Sequence, residues 1–215
     1  LAPDRARASL AGLAAVALLV LPALYTGLGV ILAAGLLGLM LFRAPRHEAP
    51  AATVPPPSGR AMGAGSLILF FGVFLALPVL AEHGPLGDLA LAEALYRTGS
   101  LVFGGGHVVL PLLRAETVAP GWVEQNAFLA GYGAAQALPG PLFTFAAYLG
   151  TVASLGPGGI SGGMLALVAI FLPAWLLVLG TLPFWSALRR SITARAALTG
   201  INAAVVGLLG AALYD

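Results

Sequence analysis

Apolar residues in this chain run in long blocks, not in the alternating or single-faced patterns of soluble proteins. The blocks cover 9–42, 62–80, a stretch running from 89 through 113, 127–152, 162–185 and 196–213. Several reach the roughly 18–20 residues that cross a bilayer as a helix. A transmembrane barrel would instead show segments of about ten residues with alternating polarity, and none is present. The pattern predicts an all-α integral membrane protein, a polytopic helical bundle.

The block 9–42 is too long for one span. It weakens at Pro22-Ala23-Leu24-Tyr25-Thr26-Gly27, which predicts two short spans in a hairpin; a single long tilted helix is the competing reading. Residues 43–61 form the clear linker, with Arg43, Arg46, Arg60 and the run Val54-Pro55-Pro56-Pro57-Ser58-Gly59. Consecutive prolines favour extended polyproline II and cannot continue a helix. Its arginines suit a cytoplasmic loop, and a hairpin returns Arg5 and Arg7 to the same side. Further polar turns fall at 81–88 and at Gly156-Pro157-Gly158-Gly159. Arg189, Arg190 and Arg195 make a basic loop before the last span.

Two breaks interrupt the apolar blocks. One is Phe103-Gly104-Gly105-Gly106-His107, followed by Pro111; the other is Gln136-Ala137-Leu138-Pro139-Gly140-Pro141. Each glycine costs a helix about 1 kcal/mol. A span that accepts this at depth exposes backbone there. A helix starting near His107 aims its orphan N–H groups and partial positive charge back at Gly104, Gly105 and Gly106. Pro139, Gly140 and Pro141 do the same for a helix starting near Leu142, with Pro141 in its first turn. Two such ends suit a small anion and avoid full charges in lipid, each costing at least about 2.5–3.5 kcal/mol. The pattern predicts discontinuous helices with a backbone anion site.

Side chains near the breaks extend the candidate list. His107 could sense protons, contact the anion, or bond a neighbouring carbonyl. Glu116 is either an interfacial cap or a proton-coupling carboxylate. Gln136 could donate its amide to an oxyanion. Glu93 and Arg97 share a helix face at i, i+4. Arg114 and Arg189 could attract an anion, but span-end arginines commonly snorkel and set topology. Trp122 and Trp185 read as interfacial belt residues. Asn202 reads as glue between helices, and most of the glycines as packing residues.

Composition narrows the functional classes. The 215 residues are 60% hydrophobic and 8% charged, against about 25% charged in soluble domains; mean hydropathy is +0.98. With no cysteine, thiol chemistry and Cys-ligated metals are excluded. All ten basic residues are arginine, without the basic, aromatic-interleaved cluster of a nucleic-acid binder. The triple glycine lacks a following Gly-Lys-Ser/Thr, so it is no phosphate loop. The three histidines lie far apart in sequence, and no catalytic constellation is visible. We expect no enzyme activity, no cofactor, no resident metal and no nucleic-acid partner.

The motifs Phe103-Gly104-Gly105-Gly106-His107-Val108-Val109-Leu110-Pro111, Gly121-Trp122, Gln136-Ala137-Leu138-Pro139-Gly140-Pro141, Ala147-Tyr148-Leu149-Gly150 and Phe171-Leu172-Pro173 resemble, in order and spacing, the chromate ion transporter family. The resemblance covers about 99–215. It implies an inner-membrane, multi-pass protein exporting chromate, a tetrahedral dianion like sulfate, under the proton motive force. Long members of that family carry two homologous halves. By that resemblance 1–42 is the closing hairpin of a preceding half, 43–61 the linker, and 62–215 a second half truncated at its C-terminus. The expected partners are chromate or a similar oxyanion such as sulfate, the lipid bilayer, and the other half or a homodimer partner. Sulfate transport and a non-transporting structural subunit are the rival readings.

Overall fold

The computed structural model describes residues 4–21, 26–42, 59–83, 87–102, 106–137 and 140–212; at 83, 106–108 and 212 it describes the backbone alone. Regular structure among the described residues is helical throughout, and the protein is an all-α membrane protein. Three helices are long and apolar enough to cross a bilayer: α3 (Arg60–His83), α8 (Gly159–Thr181) and α10 (Ile192–Ala212). Ile68, Phe71 and Leu75 on α3 and Met164 and Trp175 on α8 are exposed, as lipid-facing side chains are. The chain divides into two compact units, Leu1–Pro57 with Pro183–Asp215, and Ser58–Leu182.

The first unit contains α1 (Arg5–Val20), α2 (Thr26–Leu41), α9 (Trp185–Arg190) and α10. Asp4 caps α1, its carboxylate accepting the Arg7 backbone N–H at 3.0 Å. That satisfies one of the orphan donors of the first turn. Block 9–42 is two helices packed on one another, so the hairpin reading holds over the single long helix; residues 22–25 of the expected turn lie outside the described residues. The linker at 43–58 does too. Both α1 and α2 pack on α10, and small residues make the contact. A Cβ on Gly38 would fall on the Ala196 carbonyl oxygen, one on Gly200 on that of Ala34, and one on Gly207 on that of Ala11. Helix backbones touch directly there, the form of association expected where no hydrophobic drive acts between helices. Gly38 meets Gly200 while Gly27 meets Leu208, so α2 runs antiparallel to α10.

In the second unit α8 is the central element. Packed on it are α3, α4 (Gly87–Leu101) and α7 (Phe145–Val152). Gly150 and Gly162 face one another, each occupying the space a Cβ on the other would need, and Gly99 lies against the Ile170 carbonyl. Leu91, Leu95, Val109, Leu113, Phe145 and Ile170 form the buried core around them. Phe145 meets Phe128 edge-on at 5.1 Å between ring centroids. The turn into α8 carries positive φ at Gly156 (91°), Gly158 (61°) and Gly159 (52°), conformations that only glycine adopts cheaply.

Four helices of this unit are short: α4 has 15 residues, α5 (Gly106–Thr117) and α6 (Gln125–Gln136) 12 each, and α7 8. Twelve residues span about 18 Å, against an apolar bilayer thickness of about 30 Å. Neither α5 nor α6 can cross alone, as expected of helices interrupted at depth.

Gly162→Val and Gly200→Val should each cost about 1–3 kcal/mol through forced separation of packed backbones. Gly133→Ala should be neutral or slightly stabilising, because a Cβ there meets nothing within 4 Å. Thermal unfolding of detergent-solubilised protein, followed by fluorescence-detected size exclusion, measures the difference.

Candidate functional site

Helix α5 begins at Gly106 and α6 ends at Gln136, so both breaks coincide with helix ends. Gly104, Gly105 and Pro139 lie outside the described residues. Gly106 and His107 supply the first two positions of α5, whose opening N–H groups have no partner within the helix. The His107 side chain is outside the description. After the second break Gly140 and Pro141 are exposed, and Pro141 stands as the N-cap of a 3-10 turn, Leu142–Thr144, that leads into α7. This corrects the expected register by one place: Pro141 precedes the first turn instead of occupying it. Its carbonyl accepts both the Thr144 N–H at 3.0 Å and the Thr144 hydroxyl at 2.9 Å. The 3-10 turn packs against α5 and α6. The segment restarting after the second break therefore touches the helix that starts at the first.

Gln136 and Tyr132 sit one turn apart on α6, and the Gln136 amide donates to the Tyr132 hydroxyl. Both are at least partly solvent-accessible. The Gln136 amide has a second N–H to offer. Between α5 and α6 opens a cleft of about 630 Å³, lined by Pro111, Arg114, Val118, Phe128 and Tyr132 among others. Arg114 is its charged lining residue, and its Nε donates to Gln125 Oε1 at 3.2 Å. Tyr132 lines the cleft and holds Gln136, so it links cleft and break. Its spacing to Gln136, i to i+4 on one helix, was the readable signal for that link.

Glu116 is engaged in an ion pair within the protein. It reaches from α5 to α4, where Arg97 Nη2 donates to its Oε2 at 2.5 Å. Arg97 Nε also lies 3.2 Å from Glu93 Oε1, confirming the i, i+4 pair. The two carboxylates are 12% and 13% exposed, so one guanidinium faces two largely buried acids. Such a group is held together by mutual need: removing one partner leaves an uncompensated buried charge. It also ties the helix before the first break to the helix after it. Asn202 is exposed and makes no hydrogen bond among the described residues; it lines a pocket with Trp185, Arg189 and Arg195.

The chain is an all-α membrane protein whose helices end at its glycine- and proline-rich breaks. A family model described as "Chromate transporter" matches residues 89–215, more than half of the chain, and the chain belongs to that family. It is 34% identical over 133 residues to a chromate transport protein of Pseudomonas aeruginosa, covering 62% of this chain and 31% of that protein. An uncharacterized transporter of Bacillus subtilis is 33% identical over 136 residues, 62% of this chain and 66% of that one. A probable chromate transport protein of Synechococcus elongatus is 27% identical over 142 residues, 66% and 34% of the two chains. The chain thus matches about a third of the length of two of these relatives and about two thirds of the Bacillus one. No solved structure matches it.

A double-mutant cycle with Arg97→Met and Glu116→Gln, read by thermal unfolding, should return a coupling of about 1–3 kcal/mol. Arg114→Met, whose partner Gln125 is neutral and half-buried, should cost less than Arg97→Met.

Proposed function

We propose that this protein is part of a secondary transporter that exports chromate across the inner (plasma) membrane under the proton motive force. The observation that carries the reading is the coincidence of both family motifs with helix ends, one of them packed against the helix begun by the other. Orphan N–H groups at such ends bind oxyanions without placing lysine or arginine at depth. Gly104, Gly105, Gly106, Pro139, Gly140 and Pro141 shape the site in this reading, with His107 and Gln136 as side-chain contacts. His107 and Glu116 are the groups assigned to proton coupling. The chain catalyses no reaction and crosses the membrane several times.

Residues 62–215 form one half of the transporter, 43–61 a cytoplasmic linker, and 1–42 the closing hairpin of a preceding half. The third-length match to the Pseudomonas relative supports a two-half protein. The longer share of the Bacillus relative supports a second arrangement, in which one half works beside a homodimer partner. Sulfate shares the charge and shape of chromate, and backbone N–H groups discriminate poorly between them, so sulfate is the competing substrate.

Inverted membrane vesicles carrying the full-length protein should accumulate labelled chromate when a proton gradient is imposed. Excess sulfate should blunt the signal. Gly105→Leu, compared at equal amounts of folded protein, should lower uptake at least tenfold. Uptake no greater than in empty vesicles would discard chromate transport. Unchanged flux per folded molecule in Gly105→Leu would remove the first break from the pathway. Retained gradient dependence in both His107→Gln and Glu116→Gln would remove both from coupling.

A further inference from the structure

The arginines of the first unit collect at one end. The Arg7 guanidinium lies over the Phe42 ring, 5.7 Å from its centroid, which brings the start of α1 to the end of α2. Gly38, near that end of α2, meets Ala196 and Gly200, which brings in the start of α10 with Arg195. Helix α9, carrying Arg189 and Arg190, joins α10 directly at Ser191. Asp4 is the acid among the described residues of this unit, and it is engaged by Arg7. An excess of arginine at one end of a helical bundle marks the cytoplasmic side.

At that end lies a pocket of about 340 Å³ lined by Trp185, Arg189, Arg195, Leu198, Thr199 and Asn202. Residues 195, 198, 199 and 202 are spaced i, i+3, i+4 and i+7, one face of α10. Arg189 comes from α9 and its guanidinium lies 5.9 Å from the Trp185 ring centroid, which fixes its approach through a cation–π contact. Among the described residues neither Arg189 nor Arg195 has an acidic partner, and the Asn202 amide has no hydrogen-bond partner. The Thr199 hydroxyl is committed, donating to the Arg195 carbonyl at 2.8 Å. The pocket offers two guanidinium forks and the N–H donors of one amide, whose other end is a carbonyl acceptor. Guanidinium forks match the paired oxygens of tetrahedral oxyanions.

We propose that Arg189, Arg195 and Asn202 form an oxyanion-binding pocket at the cytoplasmic end of the first unit, separate from the glycine and proline breaks. Its ligand is a tetrahedral dianion or the phosphate of an anionic lipid headgroup, both recognised by the same donors. Snorkelling alone would account for the arginines. It does not account for arginines from two helices lining one pocket together with the exposed Asn202 amide, two turns along α10 from Arg195.

The test is equilibrium dialysis of labelled sulfate against purified full-length protein, first in neutral detergent and then in phosphatidylcholine nanodiscs with and without phosphatidylglycerol. Binding should saturate. Arg189→Gln and Arg195→Gln should each weaken it at least tenfold, with unchanged melting behaviour. Arg190→Gln, an exposed neighbour that does not line the pocket, should change it less than threefold. Asn202→Leu should weaken binding and Asn202→Gln restore most of it. Displacement of sulfate by phosphatidylglycerol assigns the pocket to a lipid headgroup; indifference assigns it to a soluble oxyanion. Absence of saturable binding in both media, or equal losses in Arg190→Gln and Arg195→Gln, would overturn the proposal. No gradient is used, so a protein that fails to transport chromate can still pass or fail this assay.

Discussion

Lipid offers no hydrogen bonds, and each peptide group left unpaired within it costs several kcal/mol. Most of this structure follows from that constraint. Long spans such as α3, α8 and α10 meet it by pairing most peptide groups within one helix, apart from their ends and the interior prolines Pro78 and Pro173. The segment from α4 to α7 does not, because four helices in succession are too short to cross. Its irregular backbone is tolerable only where protein or a polar cavity covers it. The buried aromatic and aliphatic core around Phe145 supplies the protein side of that cover. The Thr144 hydroxyl and N–H, both directed to the Pro141 carbonyl, settle the acceptor exposed by the second break. The N–H groups left over at the two helix starts are what an anion would meet.

Much of this architecture was legible in the residues. Uninterrupted apolar blocks marked the spans, because helix length and bilayer thickness leave little freedom. Helix starts near His107 and Leu142 were readable, the first one residue late, because three glycines or a Pro-Gly-Pro run cannot continue a helix cheaply. The Arg97 bridge to Glu116 was not legible. Nineteen residues separate the pair, and their meeting depends on how α4 and α5 return to each other across a break that has no periodicity. The exposure of Asn202 was not legible either. A lone amide in an apolar helix looks like an interhelical bond, but Gly200 and Gly207 bring the backbones so close that no side chain is needed to bridge them.

Charge is used differently in the two units. In the second, Arg97 is hemmed between carboxylates and works inside the protein. In the first, Arg189 and Arg195 face a pocket with no acid among the described residues to answer them. The same side chain thus serves as a structural tie in one place and as an unspent donor in the other. The difference lies in burial and in neighbours, neither of which a count of arginines reveals.

The direct contact of backbones at Gly38, Gly200 and Gly207 also bears on how such a sequence can change over generations. No amino acid is smaller than glycine, so every substitution at these places adds bulk where another helix's carbonyl already stands. A paired change cannot rescue it, because the obstructing atom belongs to the backbone and is the same whatever residue carries it. The outward faces of the same helices, with Leu13, Leu36 and Leu209 exposed, accept almost any apolar replacement. Descendants of this protein should therefore drift freely on their outer surface while the seams of α10 with α1 and α2 stay fixed.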